Sequence, residues 1–595
     1  MFQKASFLAG KVKNCKLKRS MKKRRVFQLI LAFVLLLQVS GIHSMERVYV
    51  STDKAYYLAG ESIWCSVFCI DGSTGNFSGH SSVAYLEFHS REKMEACIKV
   101  ALVNGRGCGR LQIPFNFGTG NYSIVAFTGK DGGDSKEKFN GKTVTVFNTL
   151  TSQRVNGGVE VVEDGEPIKS PVQEGPVQTG GISIEAAEQN NGVIPIKIRN
   201  TGNNNANMSI SIYHIGRIEE LIGERGYDST SLLERKGDFA PTGIEEYAGE
   251  VIRARVYKDG KPLAGKEAKG VYMYMSAMGN TDDTYITNLD SAGYATYYTN
   301  NISGTRDLLF DVVKDVSQTV KVDKGTKMDV GYKIELVEEK FNHVPAEIPV
   351  LKISERLEEP LRQRSLRMQV GRRFDADTLY NLMPMRSNDF FGAVEPIVYN
   401  LDDYTRFPLM KEVVSEYVSN LKIRKVDGRQ RLLVMWQETE GVYTASRQYA
   451  LAMLDGVPVR DHSLLINMDP LLVKQIIIYP RRYLLNYFMF DGIVKFNTYK
   501  GDMGGLKLGD NVSILSYEGT QYPLAFMGDM LPDNGRYPNY NTTIYWNPIA
   551  EVDAGGEFSF NCTVPDYGGT FRIVIEGMDS CGNAVYSEGT VVIGQ

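Results

Sequence analysis

The chain has 595 residues, 43% of them hydrophobic, and a formal net charge of -3 from 67 Lys and Arg against 70 Asp and Glu. This length exceeds what one hydrophobic core usually organises, so we expect roughly three to five domains of about 100 to 150 residues. The balanced, interspersed charges provide no broad basic surface of the kind that binds DNA or RNA, so nucleic acid is not an expected partner.

The amino terminus has the layout of a secretory signal peptide over residues 21–44. A basic cluster, Lys22 to Arg25, precedes about fourteen mostly apolar residues and a short polar end. A start at Met21 leaves residues 1–20 as an upstream extension. The alternative is a single-pass anchor, but the apolar run is shorter than the roughly 20 residues of a spanning helix and contains two glutamines. We therefore expect export, cleavage and no membrane span in the mature chain.

Six cysteines follow the leader, namely Cys65, Cys69, Cys97, Cys108, Cys562 and Cys581. An even number in an exported chain is compatible with disulfides, and the local candidate pairs are Cys97 with Cys108 and Cys562 with Cys581. Small buried thiols in β cores are the alternative, which remains equally open.

Short β-rich runs between turn residues predict a β-sandwich over residues 45–150. Within it, ESIWCSVFCID is apolar on both strand faces, which is typical of a central strand. Residues 151–181 are rich in Gly, Pro, Glu and Gln and are predicted to be a linker. Strand patterns resume over residues 182–240 and 241–330, and we expect residues 331–380 to be a connecting β segment.

Residues 381–505 differ from their neighbours because a helix is predicted after Pro408. Its apolar residues recur at helical spacing, at Met410, Val413, Val414, Tyr417, Val418 and Leu421. Strand patterns follow this helix, and residues 506–595 return to the sandwich pattern. The predicted fold class is therefore mainly β, a multidomain chain of tandem β-sandwiches with one small α/β domain.

Two of the predicted sandwiches resemble known families. The opening YVSTDKAYYLAGE is similar to the Asp-Lys-x-x-Tyr-x-x-Gly-Glu start of macroglobulin-type (MG2) domains, and the matching residues are Asp53, Lys54, Tyr57, Gly60 and Glu61. The unit over residues 241–330, with GKPLAG and LDSAGYATY, resembles a carboxypeptidase-regulatory or bacterial Ig-like module.

The stretches LAMLDGVPV, DPLLVKQIIIYPRRY and DGIVKFNTYKGD resemble the plug domain of TonB-dependent outer-membrane transporters. We call the matching positions the Asp-Gly motif: Asp455, Gly456, Val457, Pro458, Gly492, Ile493, Thr498 and Gly501. Only about 95 residues follow Gly501, whereas a barrel around a plug has about 22 strands and needs well over 200 residues. We therefore expect a plug-like domain without a barrel, in which the motif has a structural or docking role.

The sequence carries no recognised catalytic signature. A Gly-x-Ser-x-Gly elbow, a His-Glu-x-x-His zinc site, a phosphate loop and a dinucleotide fingerprint are all missing. The acidic loops at Asp131 and Asp134 and at Asp402 and Asp403 suit calcium, but ordinary turn chemistry accounts for them as well. We expect no catalytic residue, no cofactor and no metal.

Taken together, these features resemble large envelope proteins of Bacteroidetes. The expected function is non-enzymatic, with the sandwich modules and the plug-like domain binding an envelope protein, for which an outer-membrane transporter is one candidate. The expected location is the periplasm or the outer-membrane surface. The alternative is a macroglobulin-like protease inhibitor that acts by entrapment, with residues 151–181 as bait. Covalent trapping is not expected, because SCGNAV at Cys581 lacks the Glu and Gln of the family's thioester.

Overall fold

The computed structural model describes residues 46–594 apart from 131–137, 140, 152–157, 164–177, 223–243, 279–282, 301, 314–330, 338–343, 346, 374–379, 383–390, 392–394, 427, 440–441, 446–448, 486–487, 507–510, 522–523 and 527–538. The predicted extension and signal peptide lie outside the described residues, as do Asp131, Asp134 and most of the predicted linker. In the part of the chain that is described, no helix combines the length and the apolar character that crossing a membrane requires.

The strands of the first half are, in chain order, β1 (Glu46–Thr52), β2 (Tyr56–Leu58), β3 (Ser62–Asp71), β4 (Val83–His89), β5 (Met94–Ala101), β6 (Arg106–Gln112), β7 (Gly120–Thr128), β8 (Lys138–Phe139), β9 (Lys142–Phe147), β10 (Val159–Val161), β11 (Gln178–Thr179), β12 (Ile182–Ala186), β13 (Val193–Asn200), β14 (Ala206–Ile215), β15 (Val251–Lys258), β16 (Lys261–Pro262), β17 (Tyr272–Ala277), β18 (Thr284–Asn288), β19 (Tyr294–Tyr298) and β20 (Thr305–Val313).

The strands of the second half are β21 (Tyr332–Leu336), β22 (Val344–Pro345), β23 (Leu351–Ile353), β24 (Tyr380–Leu382), β25 (Ile397–Asn400), β26 (Leu421–Val426), β27 (Arg429–Thr439), β28 (Val442–Ala445), β29 (Leu451–Leu454), β30 (Val457–Pro458), β31 (Val473–Leu485), β32 (Phe488–Thr498), β33 (Val512–Glu518), β34 (Leu524–Phe526), β35 (Thr543–Val552), β36 (Glu557–Thr563), β37 (Gly569–Asp579) and β38 (Ala584–Ile593). The α-helices are α1 (Arg217–Ile222), α2 (Glu358–Arg373), α3 (Met410–Glu416) and α4 (His462–Ile466). The prediction of a mainly β chain is confirmed.

The N-terminal module consists of a three-stranded sheet, β1-β3-β6, and a five-stranded sheet, β2-β9-β7-β4-β5. The central position predicted for β3 is confirmed. One face of β3 buries Cys65 and Val67 in the core between the two sheets. Its other face buries Phe68 in a second cluster with Met578 and Tyr586. The strand is apolar on both faces because it separates two modules.

The C-terminal module combines strands from two distant parts of the chain. Its sheets have the orders β11-β38-β37-β14-β35 and β12-β13-β36. Strand β14 is antiparallel to both β35 and β37. This differs from the prediction of separate units over residues 182–240 and 506–595. The two segments combine because each one alone would leave apolar strand faces uncovered and strand edges unpaired.

The middle module places β15 beside β16, β19 and β21, opposite a second sheet with the order β18-β17-β20-β33. Strand β33 pairs with β20 from Thr305 to Asp311. The module predicted over residues 241–330 is therefore completed by a strand from the segment that follows the α/β region.

The α/β module contains the sheet β25-β31-β32-β29-β30, the strands β26, β27 and β28, and the helices α3 and α4. Its apolar core includes Met410, Val413, Val414, Leu421, Leu465, Ile476, Val494 and Phe496. The predicted helix exists but ends at Glu416. Leu421 is buried, as its position in the pattern requires, but it begins β26 and is not part of the helix.

The prediction of a connecting β segment over residues 331–380 is only partly right. Strands β21, β22 and β23 lie there, but Glu358–Arg373 forms a 16-residue helix. The predicted linker also contains regular structure, because Val159–Val161 pairs in parallel with Leu351–Ile353. Both differences arise from tertiary partners that local composition does not reveal.

Candidate functional site

Asp455 and Gly456 of the Asp-Gly motif form the two-residue turn between β29 and β30. Their φ angles are 47° and 83°, in the left-handed region that a type I′ hairpin turn requires. Leu454 and Val457 pair across this turn. Aspartate tolerates this conformation and glycine adopts it without steric cost, which explains the dipeptide.

The carboxylate of Asp455 fastens this turn to the end of the neighbouring strand. Its Oδ1 accepts a hydrogen bond from the backbone N–H of Thr498 at 2.7 Å, and its Oδ2 accepts one from Thr498 Oγ1 at 2.6 Å. The N–H of Met503 donates to the same Oδ2 at 2.8 Å. The N–H of Gly501 in turn donates to Thr498 Oγ1 at 2.9 Å. The side chain is only 5% exposed, so this network holds the module together from inside.

The rest of the motif also faces inward. Gly492 has a φ of 111°, and a Cβ atom there would lie 2.6 Å from a methyl group of Val434. Ile493 is fully buried and pairs in parallel with Leu451. The structure thus brings all eight motif residues into one sheet and its closing loop. Side chains engaged in this way stabilise the module.

Strands β31 and β32 extend beyond the strands that flank them. Their ladder continues through the pairs from Arg482 with Asp491 to Leu485 with Phe488. On one side β25 accompanies β31 only over residues 475–478, and on the other β29 accompanies β32 only over residues 493–496. We call residues 480–485 and 488–491 the outer hairpin. Among the described residues, no further strand pairs with either of its edges.

One face of the outer hairpin is apolar and exposed at its tip. Leu484 and Met489 lie directly opposite each other and are 70% and 43% exposed. On the same face Arg482 Nε lies 2.8 Å from Asp491 Oδ1. An apolar pair beside a paired charge, on a strand edge that pairs with no other described strand, is a surface suited to another protein.

The opposite face attaches the outer hairpin to the middle module. The buried ring of Phe488 meets that of Tyr272 edge-on, with centroids 5.0 Å apart. Nearby, Arg460 Nε lies 2.8 Å from Asp311 Oδ2, and Arg460 Nη2 lies 3.0 Å from Asp311 Oδ1. A two-pronged contact of this kind fixes orientation as well as distance.

The residues of the macroglobulin-like opening form a charged network at the boundary with the C-terminal module. Tyr57 donates its hydroxyl hydrogen to Asp53 Oδ1 at 2.7 Å, and Thr543 donates to Asp53 Oδ2 at 2.6 Å. Lys54 Nζ lies 3.0 Å from Asp53 and 3.7 Å from Glu61. Asp53, which is fully buried, therefore joins two modules.

Helix α2 completes this network through Arg364. Its Nη2 lies 3.1 Å from Glu61 Oε2, and its Nη1 lies 3.7 Å from Glu219 Oε1. Burial acts to raise the pKa of Glu61, but Arg364 and Lys54 outweigh it and hold that pKa below its usual value. For Glu219 burial prevails over Arg364, and the pKa is raised. Arg364 thus compensates two buried carboxylates.

A cleft opens above this network, and we call it the junction cleft. Its cavity volume is about 80 Å³, and it is open to solvent. It is lined by Asp53, Lys54, Gly60, Glu61, Ser62, Trp64, Arg367, Met368, Gly371, Arg372, Tyr540, Asn541, Thr542 and Thr543. The N-terminal module, α2 and the C-terminal module each form one wall.

Sequence reasoning identified the Asp-Gly motif and the macroglobulin-like opening but missed the arginines of α2. The sequence does contain a pattern that indicates this helix. Leu357, Leu361 and Met368 follow helical spacing and pack on one cluster, with glutamates in the first turn of α2 and arginines in the last. That charge order complements the helix dipole and is typical of a helix.

The remaining residues considered in the sequence, the acidic loop at Asp402 and the cysteines, form neither a metal site nor a disulfide bond among the described residues. Asp402 accepts hydrogen bonds from Arg406 Nη2 and from the Tyr499 hydroxyl, both at 2.5 Å. No group of metal-ligating side chains of suitable size occurs in the described part of the chain. No disulfide bond joins the six cysteines, and Cys97 and Cys108 lie in different sheets.

No protein-family model and no curated protein matches the chain. The similar solved structures include trypsin-activated α2-macroglobulin from Escherichia coli, at 9% identity over 93% of this chain and 42% of that chain with a TM-score of 0.23. They also include methylamine-reacted Salmonella α2-macroglobulin, at 10% identity over 92% of this chain and 39% of that chain with a TM-score of 0.22. The Yersinia pseudotuberculosis adhesin InvE matches at 11% identity over 50% of this chain and 60% of that chain, with a TM-score of 0.13. This chain spans less than half the length of those macroglobulins, and TM-scores this low assign neither a family nor a function.

Proposed function

We propose that this protein is an exported, non-enzymatic cell-envelope protein that presents the outer hairpin of a plug-like α/β module to an envelope partner. The occupant of the outer hairpin is an edge strand of that partner, and an outer-membrane transporter is the leading candidate. Export rests on the signal-peptide pattern of residues 21–44, and the transporter rests on the resemblance of the Asp-Gly motif to plug domains.

The observation that carries this proposal is the extension of β31 and β32 beyond β25 and β29. An extended partner strand can continue the ladder along such an edge, because backbone hydrogen bonds supply affinity and alternate side chains supply specificity. Leu484 and Met489 project at the point where that strand would arrive. Their burial would add about 1.5 to 3 kcal/mol for each fully covered side chain.

The surrounding modules hold the outer hairpin in a fixed orientation. Phe488 attaches the outer hairpin to the middle module, and Arg460 attaches the rest of the α/β module to it. Lys142 Nζ of the N-terminal module lies 2.9 Å from Glu576 Oε1 of the C-terminal module, and both side chains are largely buried. A preorganised surface loses little conformational entropy on binding, which favours affinity.

Site-specific photocross-linking in the native envelope tests this proposal. A photoreactive residue replaces Leu484 in one variant and Val592 in a control, because Val592 is 74% exposed on the distant strand β38. We expect one envelope protein to cross-link from position 484 and not from position 592, and to bind the exported chain when both are purified. The same products from both positions, or none from position 484, would contradict the proposal.

A further inference from the structure

Two arginines of α2 line the junction cleft and have no acidic partner within the described ranges of the chain. The guanidinium carbon of Arg367 lies 4.3 Å above the centre of the Tyr567 ring, and that of Arg372 lies 4.6 Å above the centre of the Phe115 ring. Neither arginine forms an ion pair or a hydrogen bond to any residue in the part of the chain that the structure describes. Arg364, by contrast, is fully engaged by Glu61 and Glu219.

The stacking leaves the hydrogen-bonding edges of both guanidinium groups available. A guanidinium group stacks through its face and donates through its edge, so a ring below it orients the group without using its N–H donors. Gly60 is needed for one of these arrangements, because a Cβ there would lie 2.6 Å from the Phe115 ring and 2.9 Å from Arg372 Nη1. Each of the two guanidinium groups is thus oriented by a ring, with its N–H donors available to a carboxylate at the cleft.

The surroundings favour an anion. The acidic residues that line the cleft, Asp53 and Glu61, are already paired with Lys54 and Arg364. Behind the cleft, the pKa of His214 is lowered to about 4 by burial and then by Arg367 and Arg364. His214 is therefore neutral near pH 7 and does not itself attract the ligand. Of the cations that line the cleft, Arg367 and Arg372 are the two without an acidic partner among the described residues.

The placement of the two arginines indicates a segment that crosses the cleft. Arg367 stacks on Tyr567 of the C-terminal module, and Arg372 stacks on Phe115 of the N-terminal module. Because rings from different modules hold the two guanidinium groups, a segment that crosses the cleft satisfies both better than one small anion does. In an extended segment alternate side chains lie on one face, so two carboxylates can be presented to the same helix.

We infer that the junction cleft binds an extended acidic segment of a partner protein, with alternate carboxylates paired to Arg367 and Arg372. This site is separate from the outer hairpin, so it does not depend on the function proposed above. Tyr540 and Thr542, which line the opposite wall, provide polar groups for the backbone of the segment.

Fluorescence anisotropy with the full exported chain tests the inference. The probe is a labelled peptide with glutamate at alternate positions, and its counterpart carries glutamine at the same positions. We expect the glutamate peptide to bind at least about tenfold more tightly than the glutamine peptide. We expect Arg367→Gln or Arg372→Gln to weaken its binding by at least about tenfold each, because each substitution removes charged hydrogen-bond donors.

The matched control is Arg362→Gln on the same helix. Arg362 is exposed and already pairs with Glu359 at 2.7 Å, so its replacement leaves the cleft unchanged and binding is retained. Arg367→Lys keeps the positive charge but loses the planar, bidentate set of N–H donors. We expect its affinity for the glutamate peptide to lie between those of the wild type and Arg367→Gln. Equal binding of the two peptides, or an equal loss in the Arg362 variant, would overturn the inference. Inorganic phosphate that competes as strongly as the glutamate peptide would also overturn it, because the cleft would then be a site for small anions. If the glutamate peptide does not bind while cross-linking from position 484 is intact, this inference is wrong and the function proposed above is unaffected.

Discussion

Raising the pH through neutrality is expected to loosen the boundary between the N-terminal and middle modules, because it ionises Glu246. This side chain is only 3% exposed. Its Oε1 accepts hydrogen bonds from the Tyr85 hydroxyl of the N-terminal module and from the Val251 N–H of the middle module, both at 2.9 Å. Its Oε2 has no hydrogen-bond partner among the described residues. Burial, reinforced by the nearby Glu250, raises the pKa of Glu246 to about 7 against the opposing hydrogen bonds.

The sign and size of the effect follow from this pKa. The ordinary pKa is 4.5, so the folded protein holds a proton on Glu246 between pH 4.5 and about 7 that the unfolded chain has lost. Its contribution to stability is complete below pH 4.5 and is lost as the pH rises through about 7. At about 1.36 kcal/mol for each unit of pKa, the loss amounts to about 3 kcal/mol. Glu250 acts in the same direction, because burial raises its pKa as well.

The informative variant is Glu246→Gln, which keeps the Oε1 acceptor but cannot ionise. Urea titrations at several pH values, followed by tryptophan fluorescence, give the free energy of unfolding. We expect the variant to lose most of the decline between pH 4.5 and 7, and the residual decline to come from Glu250. Glu267→Gln, an exposed change in the middle module, is expected to retain the full decline. Equal pH dependence in the wild type and the Glu246 variant would refute the reasoning.

Three further substitutions test the buried networks by urea unfolding. Asp455→Asn places an amide where three donors converge and should lower the free energy of unfolding by about 2 to 3 kcal/mol. The control Asp469→Asn retains a helix cap and should lower it by about a few tenths of a kcal/mol. Equal losses in the two variants would be inconsistent with the network. Gly492→Ala should destabilise by about 2 kcal/mol, and adding Val434→Ala should restore only the steric part, because the positive φ remains; full restoration would show that φ does not matter. Arg364→Met leaves the buried Glu219 without its cation and Glu61 with Lys54 alone, and should lower the free energy of unfolding by about 3 kcal/mol. An unchanged midpoint would argue against the network.

Local sequence signals anticipated the elements that depend on neighbouring residues. The Asp455-Gly456 turn, the central strand β3 and the start of α3 each follow from turn chemistry or from the period of apolar residues. The macroglobulin-like opening was located instead by its resemblance to a known family, and its charged residues meet in one network around Asp53.

The partners of these elements were not predictable in the same way. Strand β14 pairs with β35 and β37, although most of the chain lies between them. A period-two pattern shows which face of a strand is apolar but not which distant strand covers it. The cleft arginines were missed because the charged surface of α2 obscured its short apolar stripe. Long-range strand pairing and the charged helix α2 therefore account for the main differences between the predicted and the observed structure.

The most direct test of the proposed docking role is the affinity between the exported chain and the envelope protein that cross-links at position 484. Titration calorimetry with both proteins purified would compare the wild type, a Leu484→Asp/Met489→Asp variant and a Val592→Asp control. The account predicts that the hairpin variant weakens binding by at least about tenfold, since covering two apolar side chains contributes more than about 1.4 kcal/mol. It also predicts that the control binds like the wild type. Equal affinity for all three proteins would contradict the claim that the outer hairpin is the docking surface.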